Sequence, residues 1–238
     1  MTQRNQYRIE NAASAAPEIY LYGQIGADWL DEGITAAKVV KDLNALGKRK
    51  DIIVRIDSPG GNVFEGTNIY NALVRNTANI VVHIDALAAS IASIIAMAGA
   101  EIHMADNALM MIHEPASSVA GTAADMRKMA DTVDKARENL VRIYAQRTGN
   151  KDSKISDWMR DETWFTAMEA LEAGMVTDIT PGQKLAALNT RGMTNEDLAR
   201  LYGYHRVPSW WGRECAKPRM EAFHAKHGHL FQLATELK

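Results

Sequence analysis

The sequence predicts an α/β fold of repeated parallel β-α-β units, and three observations lead to that prediction. Short apolar runs rich in β-branched residues alternate along the chain with stretches whose apolar residues recur at helical spacing. Turn signals containing glycine or proline follow several of these runs. A single long helical pattern comes after the alternating part. Such alternation is typical of parallel strands joined by right-handed crossovers.

The predicted elements follow one another in a regular order. The strands are expected at residues 18–25, 51–57, 79–85, 101–105 and 108–113. Helical patterns lie between the first three strands, and a helix rich in small residues follows the third. A short helix begins near Thr166, where Thr and a Glu three residues later form a capping pattern. We expect the domain itself to span residues 18–180, after a flexible N-terminal arm at 1–17.

The long helical pattern runs from Gly121 to about Thr148 and carries one apolar stripe. A helix of this length measures about 40 Å, more than a compact domain of this size needs. We expect part of it to project and pack on another subunit; the alternative is a helix that lies flat across its own sheet. We expect residues 181–238 to form a basic C-terminal extension, helical or partly disordered: from residue 182 on, nine Lys and Arg stand against five Asp and Glu.

Composition limits the classes of function. The chain has 238 residues, 47% apolar and 24% charged, as globular proteins do. Its formal net charge of −2 gives no global reason to expect nucleic acid or a membrane as a partner. One cysteine, Cys215, allows no internal disulfide. The longest apolar stretch, residues 86–97, is shorter than the roughly 20 residues that span a bilayer, and the N-terminus shows no apolar signal core. We expect a cytoplasmic protein.

Two strand-to-helix corners carry residues suited to chemistry. Ser58–Gly61 reads SPGG, and its glycines allow backbone N–H groups to face a cleft and stabilise an anion. Ser90 follows the next strand and opens a helix, so it and Gly61 should face one crevice at the carboxyl edge of the sheet. Each feature has a structural alternative: SPGG as an ordinary turn, Ser90 as a helix N-cap. Ser93 is interpreted as a small packing residue.

His113 ends an apolar strand and can reach the neighbouring corner, where it would activate the Ser90 hydroxyl as a base. The alternative is a surface histidine. An acid that orients the imidazole completes such a site. Asp161 and Glu162 are the candidates, with solvated surface charge as the alternative for both.

Five blocks together resemble the Clp protease proteolytic subunit family, and most closely its phage head-maturation branch. They are SPGG, AAS, MIHEP, the Thr-Gly pair at the end of the long helix, and ETWFTAMEALEAGMVTDI, spread over residues 18–180. The resemblance implies a crotonase-like (Clp protease) α/β fold with a long handle helix. It implies a serine endopeptidase without a cofactor, in heptameric or double-heptameric rings that meet through the handles.

The resemblance also assigns roles. It implies Ser90 as nucleophile, His113 as general base, and the backbone amides of Gly61 and Ile91 as oxyanion hole. Glu162 stands where the family has Asp, with Asp161 as the rival acid. Ala86 replaces the family's Gly at the start of G-x-A-A-S. Peptide substrate would lie along a group of residues near the site: Gly60, Pro115, Ala116, Ser117 and Ser118.

The family's loop that engages an ATP-driven unfoldase has no evident counterpart in residues 1–17, and no P-loop motif occurs. We therefore expect an ATP-independent maturation protease that cuts capsid or scaffold proteins. The basic extension would target it or be removed by self-cleavage.

Three other functions remain open at this point. The crotonase-like fold also serves acyl-CoA hydratases and isomerases, and fold alone does not separate them. A ring-forming assembly protein with an idle site is a second alternative. A zinc site is a third, built from the tail residues Cys215, His224, His227 and His229. Their irregular spacing argues against a zinc site, and Trp210 and Trp211 are interpreted as packing or interface residues.

Overall fold

A computed structural model describes residues 6–10, 16–27 and 33–182. Within them, eight strands form one sheet. The strands are β1 (Gln6–Glu10), β2 (Glu18–Tyr22), β3 (Asp51–Ser58), β4 (Asn79–Ala89), β5 (Glu101–Ala105), β6 (Leu109–Ile112), β7 (Thr163–Thr166) and β8 (Asp178–Thr180). The main path through the sheet is β1-β2-β3-β4-β5-β8, and β6 and β7 branch from β4.

Six helices connect these strands, and several begin at a capping side chain. They are α1 (Ala36–Ala45), α2 (Val63–Val74), α3 (Ile91–Ala96), α4 (Ala123–Thr148), α5 (Asp152–Arg160) and α6 (Ala167–Glu172). Thr35, Asn62, Thr122 and Thr166 each accept a hydrogen bond from a first-turn amide. The capping pattern predicted at Thr166 is a complete capping box with Glu169.

The α/β fold class and the parallel pairing predicted from the sequence are confirmed. Strands β2, β3, β4 and β5 pair in parallel, and their buried Ile and Val side chains form the centre of the core. Strand β4 changes partner along its length, pairing with β5 over Val81–Ile84 and with β6 over Leu87–Ala89. The register against β3 shifts between these two parts. Ser90 directly follows the second of these two parts.

The structure corrects three sequence predictions. Residues 6–10, expected to belong to a flexible arm, form strand β1 and pair antiparallel with β2. Strand β4, expected to end at residue 85, continues through residues 86–89. Strands β7 and β8 were not predicted, because each is short and lacks clear alternation.

Helix α4 begins at a capping box and ends at Gly149, whose φ of 71° suits a left-handed C-cap. Its buried residues are Leu140, Val141 and Tyr144, all in the last third. No residue at 123–139 is buried. A helix lying flat across its own sheet is therefore wrong for these residues, which extend away from the core.

None of the helices within the described ranges combines the length and the apolar character that crossing a membrane demands. The C-terminal extension lies outside the described residues from position 183 onward, together with the tail residues considered for zinc.

Candidate active site

Ser90 occupies a sharp turn between β4 and α3. Its φ of 54° and ψ of −129° are unusual for a residue other than glycine, and such backbone conformations cost about 1–3 kcal/mol. Its amide donates to the carbonyl of Met111 over 2.9 Å, and its carbonyl accepts from the Ser93 amide over 3.0 Å. The Ser90 side chain makes no capping hydrogen bond. The hydroxyl is therefore free for another partner.

That partner is His113. Because β6 pairs with the end of β4, the residue that follows β6 lies beside the turn at Ser90. The distance from the Nε2 atom of His113 to the Oγ atom of Ser90 is 2.7 Å. A hydroxyl that donates to an imidazole at this distance can lose its proton as it attacks an electrophile.

The glycine loop packs directly against this turn. A Cβ on Gly60 would lie 2.7 Å from the Cβ of Ser90, and a Cβ on Gly61 would lie 2.1 Å from the carbonyl oxygen of Ile25. Their φ angles of 93° and 142° also exclude most side chains. Only glycine fits at either position, so the loop can approach Ser90 through its backbone.

Hydrogen bonds to Ile25 fix the orientation of this loop. The Ile25 amide donates to the Gly60 carbonyl and the Ile25 carbonyl accepts from the Asn62 amide, each over 2.8 Å. In a trans peptide the N–H points opposite to the preceding C=O. The Gly61 N–H therefore points away from Ile25. Ile91 begins α3, where an amide has no intrahelical acceptor, so both amides are suited to hold an anion.

Glu162 and Asp161 differ sharply in exposure. Strands β6 and β7 pair antiparallel with Ile112 opposite Thr163, so His113 directly follows, and Glu162 directly precedes, this last residue pair of the ladder. Glu162 is 7% exposed, whereas the side chain of Asp161 is 56% exposed and lies 3.9 Å from Arg160. The end of β6 thus lies near Glu162, the buried one of the two acids.

The segment after His113 has no helix or strand as far as residue 120, and residues 116–118 are exposed. Its start is held where the Glu114 amide donates to the carbonyl of Met159 over 3.2 Å. An exposed backbone fixed at one end beside the Ser90–His113 pair is a suitable edge for an extended peptide.

The sequence interpretation missed the role of Ser93. Its side chain is a buried hydrogen-bonding centre rather than only a packing residue, with contacts to Ser90, Met111 and Tyr144. The available signal was weak: a serine one helical turn after the corner.

Asp57, near the end of β3, is a second buried polar group. Asp57 accepts a hydrogen bond from the backbone of Leu87, in the irregular part of β4, while its Oδ1 atom has no partner within the described part of the chain. Burial, and secondarily the Asp85 carboxylate, raises the pKa of Asp57 to about 7. Within the described residues no group of three or more His, Cys, Asp or Glu side chains could hold a metal ion.

Comparison with known proteins gives consistent results. Residues 2–183 match the family model described as Clp protease. The ATP-dependent Clp protease proteolytic subunit of Bacteroides fragilis is 33% identical over 140 residues, which cover 58% of this chain and 67% of that protein. Proteolytic subunit 2 of Tropheryma whipplei is 32% identical over 160 residues, covering 63% and 88%.

A solved structure agrees with these sequence matches. A ClpP1 mutant from Listeria monocytogenes superposes with a TM-score of 0.61 at 25% identity, covering 70% of this chain and 92% of the other. The predicted Clp-like fold with its long helix is thereby confirmed.

Proposed function

The chain belongs to the Clp protease family, and from that membership we propose that it is a serine endopeptidase acting through Ser90, His113 and Glu162. The observation that carries the proposal is the 2.7 Å contact between the Ser90 hydroxyl and the His113 imidazole. The family match and this contact favour a peptidase over an acyl-CoA hydratase or isomerase. They also favour it over an idle assembly protein.

In the proposed mechanism, His113 accepts the Ser90 proton as the hydroxyl oxygen attacks a peptide carbonyl. The Gly61 and Ile91 amides hold the oxyanion that forms, a contribution that is typically about 10²–10³ in turnover per donor. The tetrahedral intermediate collapses to an acyl-enzyme while His113 passes its proton to the leaving amine. Water, deprotonated by His113, then attacks the acyl-enzyme carbonyl, and the bond to Ser90 Oγ breaks as His113 returns the proton to that oxygen and the acid is released.

We assign the orienting carboxylate to Glu162 rather than Asp161. Burial and the register between β6 and β7 support this choice. A carboxylate beside the imidazole fixes its tautomer and stabilises the imidazolium that forms during attack. Glu is one methylene longer than the family's Asp and can still accept from an imidazole N–H.

Peptide substrate is proposed to bind as an added strand along Pro115–Ser118, with Gly60 at the other side of the cleft. Main-chain hydrogen bonds would then give affinity that depends little on sequence.

Clp proteases typically form homo-oligomeric rings. Residues 123–139 of α4, which the described chain leaves unburied, are the proposed contact between subunits of a heptamer or double heptamer.

More specifically, we propose that the protein cleaves capsid or scaffold proteins while a phage head matures. It would do so in the host cytoplasm and without ATP. Two features support it: the resemblance to the head-maturation branch and a basic segment beyond the family match, which ends at residue 183. That segment would guide the protease to its substrate or be removed by self-cleavage.

A fluorophosphonate probe tests the proposed chemistry directly. Wild-type protein should gain one probe mass, located at Ser90 by peptide mapping, and should cleave an unstructured fluorogenic peptide. Ser90→Ala and His113→Ala should lose both properties. Ser153→Ala, a change of an exposed serine on α5, is the matched control and should keep both.

Intact-mass spectrometry of the same samples reports self-processing, since loss of the extension would leave a shorter chain in wild type only. Labelling at a residue other than Ser90, or cleavage that persists in Ser90→Ala, would overturn the proposed peptidase site.

A further inference from the structure

Resting on the proposed peptidase function, we infer that Ser93 and Tyr144 are positioning residues for the nucleophile, joined in a buried bridge between α4 and the turn at Ser90. The Ser93 Oγ atom lies 2.8 Å from the Tyr144 hydroxyl oxygen. It also lies 2.5 Å from the Ser90 carbonyl oxygen and 3.2 Å from that of Met111. One hydroxyl thus contacts three separate segments of the chain.

The direction of each hydrogen bond follows from counting protons. A serine hydroxyl has one proton, and carbonyl oxygens only accept. The Ser93 proton is therefore directed to the Ser90 and Met111 carbonyls, and the Tyr144 O–H must donate to Ser93 Oγ. Ser93 is fully buried and Tyr144 is 2% exposed, so water does not compete for these bonds.

The bridge acts where the backbone is strained. A positive φ at a serine persists only when its surroundings determine it. The Met111 carbonyl accepts from both the Ser90 amide and the Ser93 hydroxyl. Met111 also lies two residues before His113 in the chain, so the bridge ties the nucleophile's turn to the strand that carries the base.

Helix α4 supplies Tyr144 from a well-anchored position. Leu140 and Val141 are buried one turn before it. Arg147 donates from Nη2 to the carbonyl of Ala100 over 3.2 Å, which ties α4 to the segment just after α3. The tyrosine oxygen is therefore fixed relative to α3, and through Ser93 it is fixed relative to Ser90.

Tyr144 acts through Ser93 and not on the substrate. Complete burial keeps its ring from the cleft, and burial raises the pKa of its hydroxyl above the ordinary value, so it stays neutral throughout the working range. The bridge should consequently affect the rate of attack by Ser90 and leave peptide affinity unchanged.

Tyr144→Phe removes one oxygen and keeps the ring, and Ser93→Ala removes the other partner. In each variant we expect kcat and the rate of fluorophosphonate labelling at Ser90 to fall about tenfold, with KM within about twofold of wild type. The double variant should be no slower than the slower single variant, because both changes break the same bridge.

Two matched controls test whether the loss of any buried or hydrogen-bonded hydroxyl lowers activity, or only the loss of those in the bridge. Tyr7→Phe removes a tyrosine hydroxyl that donates to Asp42 over 3.0 Å, far from Ser90 in the chain and on another strand. Thr67→Ala removes a hydroxyl that donates to a carbonyl within α2. Both should keep the wild-type kcat. All variants are assayed well below their measured melting temperatures.

Unchanged kcat and labelling in Tyr144→Phe would overturn the inference while leaving the peptidase function intact. Effects that multiply in the double variant, or an equal loss in the Tyr7→Phe and Thr67→Ala controls, would overturn it too. If Ser93→Ala does not fold, Tyr144→Phe alone decides. Wild-type protein that neither reacts nor cleaves would overturn the proposed function and this inference with it.

Discussion

Ser90 and Glu162 are the two residues other than glycine with positive φ in the described part of the chain, at 54° and 49°, but different structures hold them. The Ser90 turn is fixed by hydrogen bonds to β6 and within α3, and through Ser93 to α4. Glu162 follows the end of α5, where its amide donates to the Met159 carbonyl over 3.2 Å. Tertiary contacts hold the first turn, and a local helix ending holds the second.

The difference shows what each side chain is needed for. At a helix end, a left-handed residue is usually glycine, which would make the same turn without strain. The turn alone therefore does not explain why a glutamate occupies position 162. As a whole residue Glu162 is 7% exposed, whereas the adjacent Asp161 side chain is 56% exposed. The left-handed backbone at Glu162 thus accompanies the burial of one of two neighbouring acids and not the other.

The largest effect should come from neutralising that buried acid. Glu162→Gln keeps the shape of the side chain but cannot stabilise a charged imidazole, so we expect kcat to fall about 10²–10⁴-fold, as in other triads that lose their carboxylate. Steady-state cleavage of the fluorogenic peptide measures this, with circular dichroism to show that the fold is retained.

The matched control is Asp161→Asn, one residue away, which should stay within about twofold of wild type, as expected for an exposed surface charge. The reverse ranking of the two variants would transfer the orienting role to Asp161.

The sequence alone predicts most of what surrounds Ser90. Apolar runs that end at SPGG and at Ser90 identify parallel strands, and parallel strands bring their carboxyl ends to one edge. His113 ends a third apolar run, and the structure sets it 2.7 Å from Ser90. Local patterns sufficed because each of these residues lies directly at the end of a strand.

The remaining features depend on contacts that no local pattern encodes. Ser93 and Tyr144 are separated by 51 residues, and their spacing carries no motif. The choice between Asp161 and Glu162 depends on a left-handed residue that is not glycine, against the usual helix-ending signal. Strand β1 forms because β2 offers it an edge, which a polar segment does not reveal by its own pattern.

A second buried acid, Asp57, lies near the end of β3. Burial and Asp85 raise the pKa of Asp57 to about 7, from 3.8 in the unfolded chain. Between these pH values the folded protein holds a proton that the unfolded chain has released, so stability falls as pH rises. Between pH 5 and pH 8 the wild type should lose at most about 3 kcal/mol, from the part of this window that lies above pH 5. Asp57→Asn should remove that loss, as urea unfolding at pH 5 and pH 8 measures.

Asp51→Asn changes a partly exposed carboxylate at the opposite end of β3 and is the control for removing a negative charge. Its stability relative to wild type should not depend on pH in this way. If Asp57→Asn gains no more stability at pH 8 than at pH 5, Asp57 does not carry a proton in the folded protein near neutral pH.

The smallest effect tests the strain itself, by comparing glycine with alanine at both positions. At Glu162, glycine should exceed alanine in stability by about 1 kcal/mol, the usual cost of left-handed backbone. At Ser90 the difference should be larger, about 1–3 kcal/mol, because its ψ of −129° lies far from the left-handed well. Urea unfolding of the four variants measures both differences, and none depends on catalysis. An equal or smaller difference at Ser90 would mean that the backbone of Ser90 is no more strained than that of Glu162, and that the local helix ending is the more demanding of the two turns.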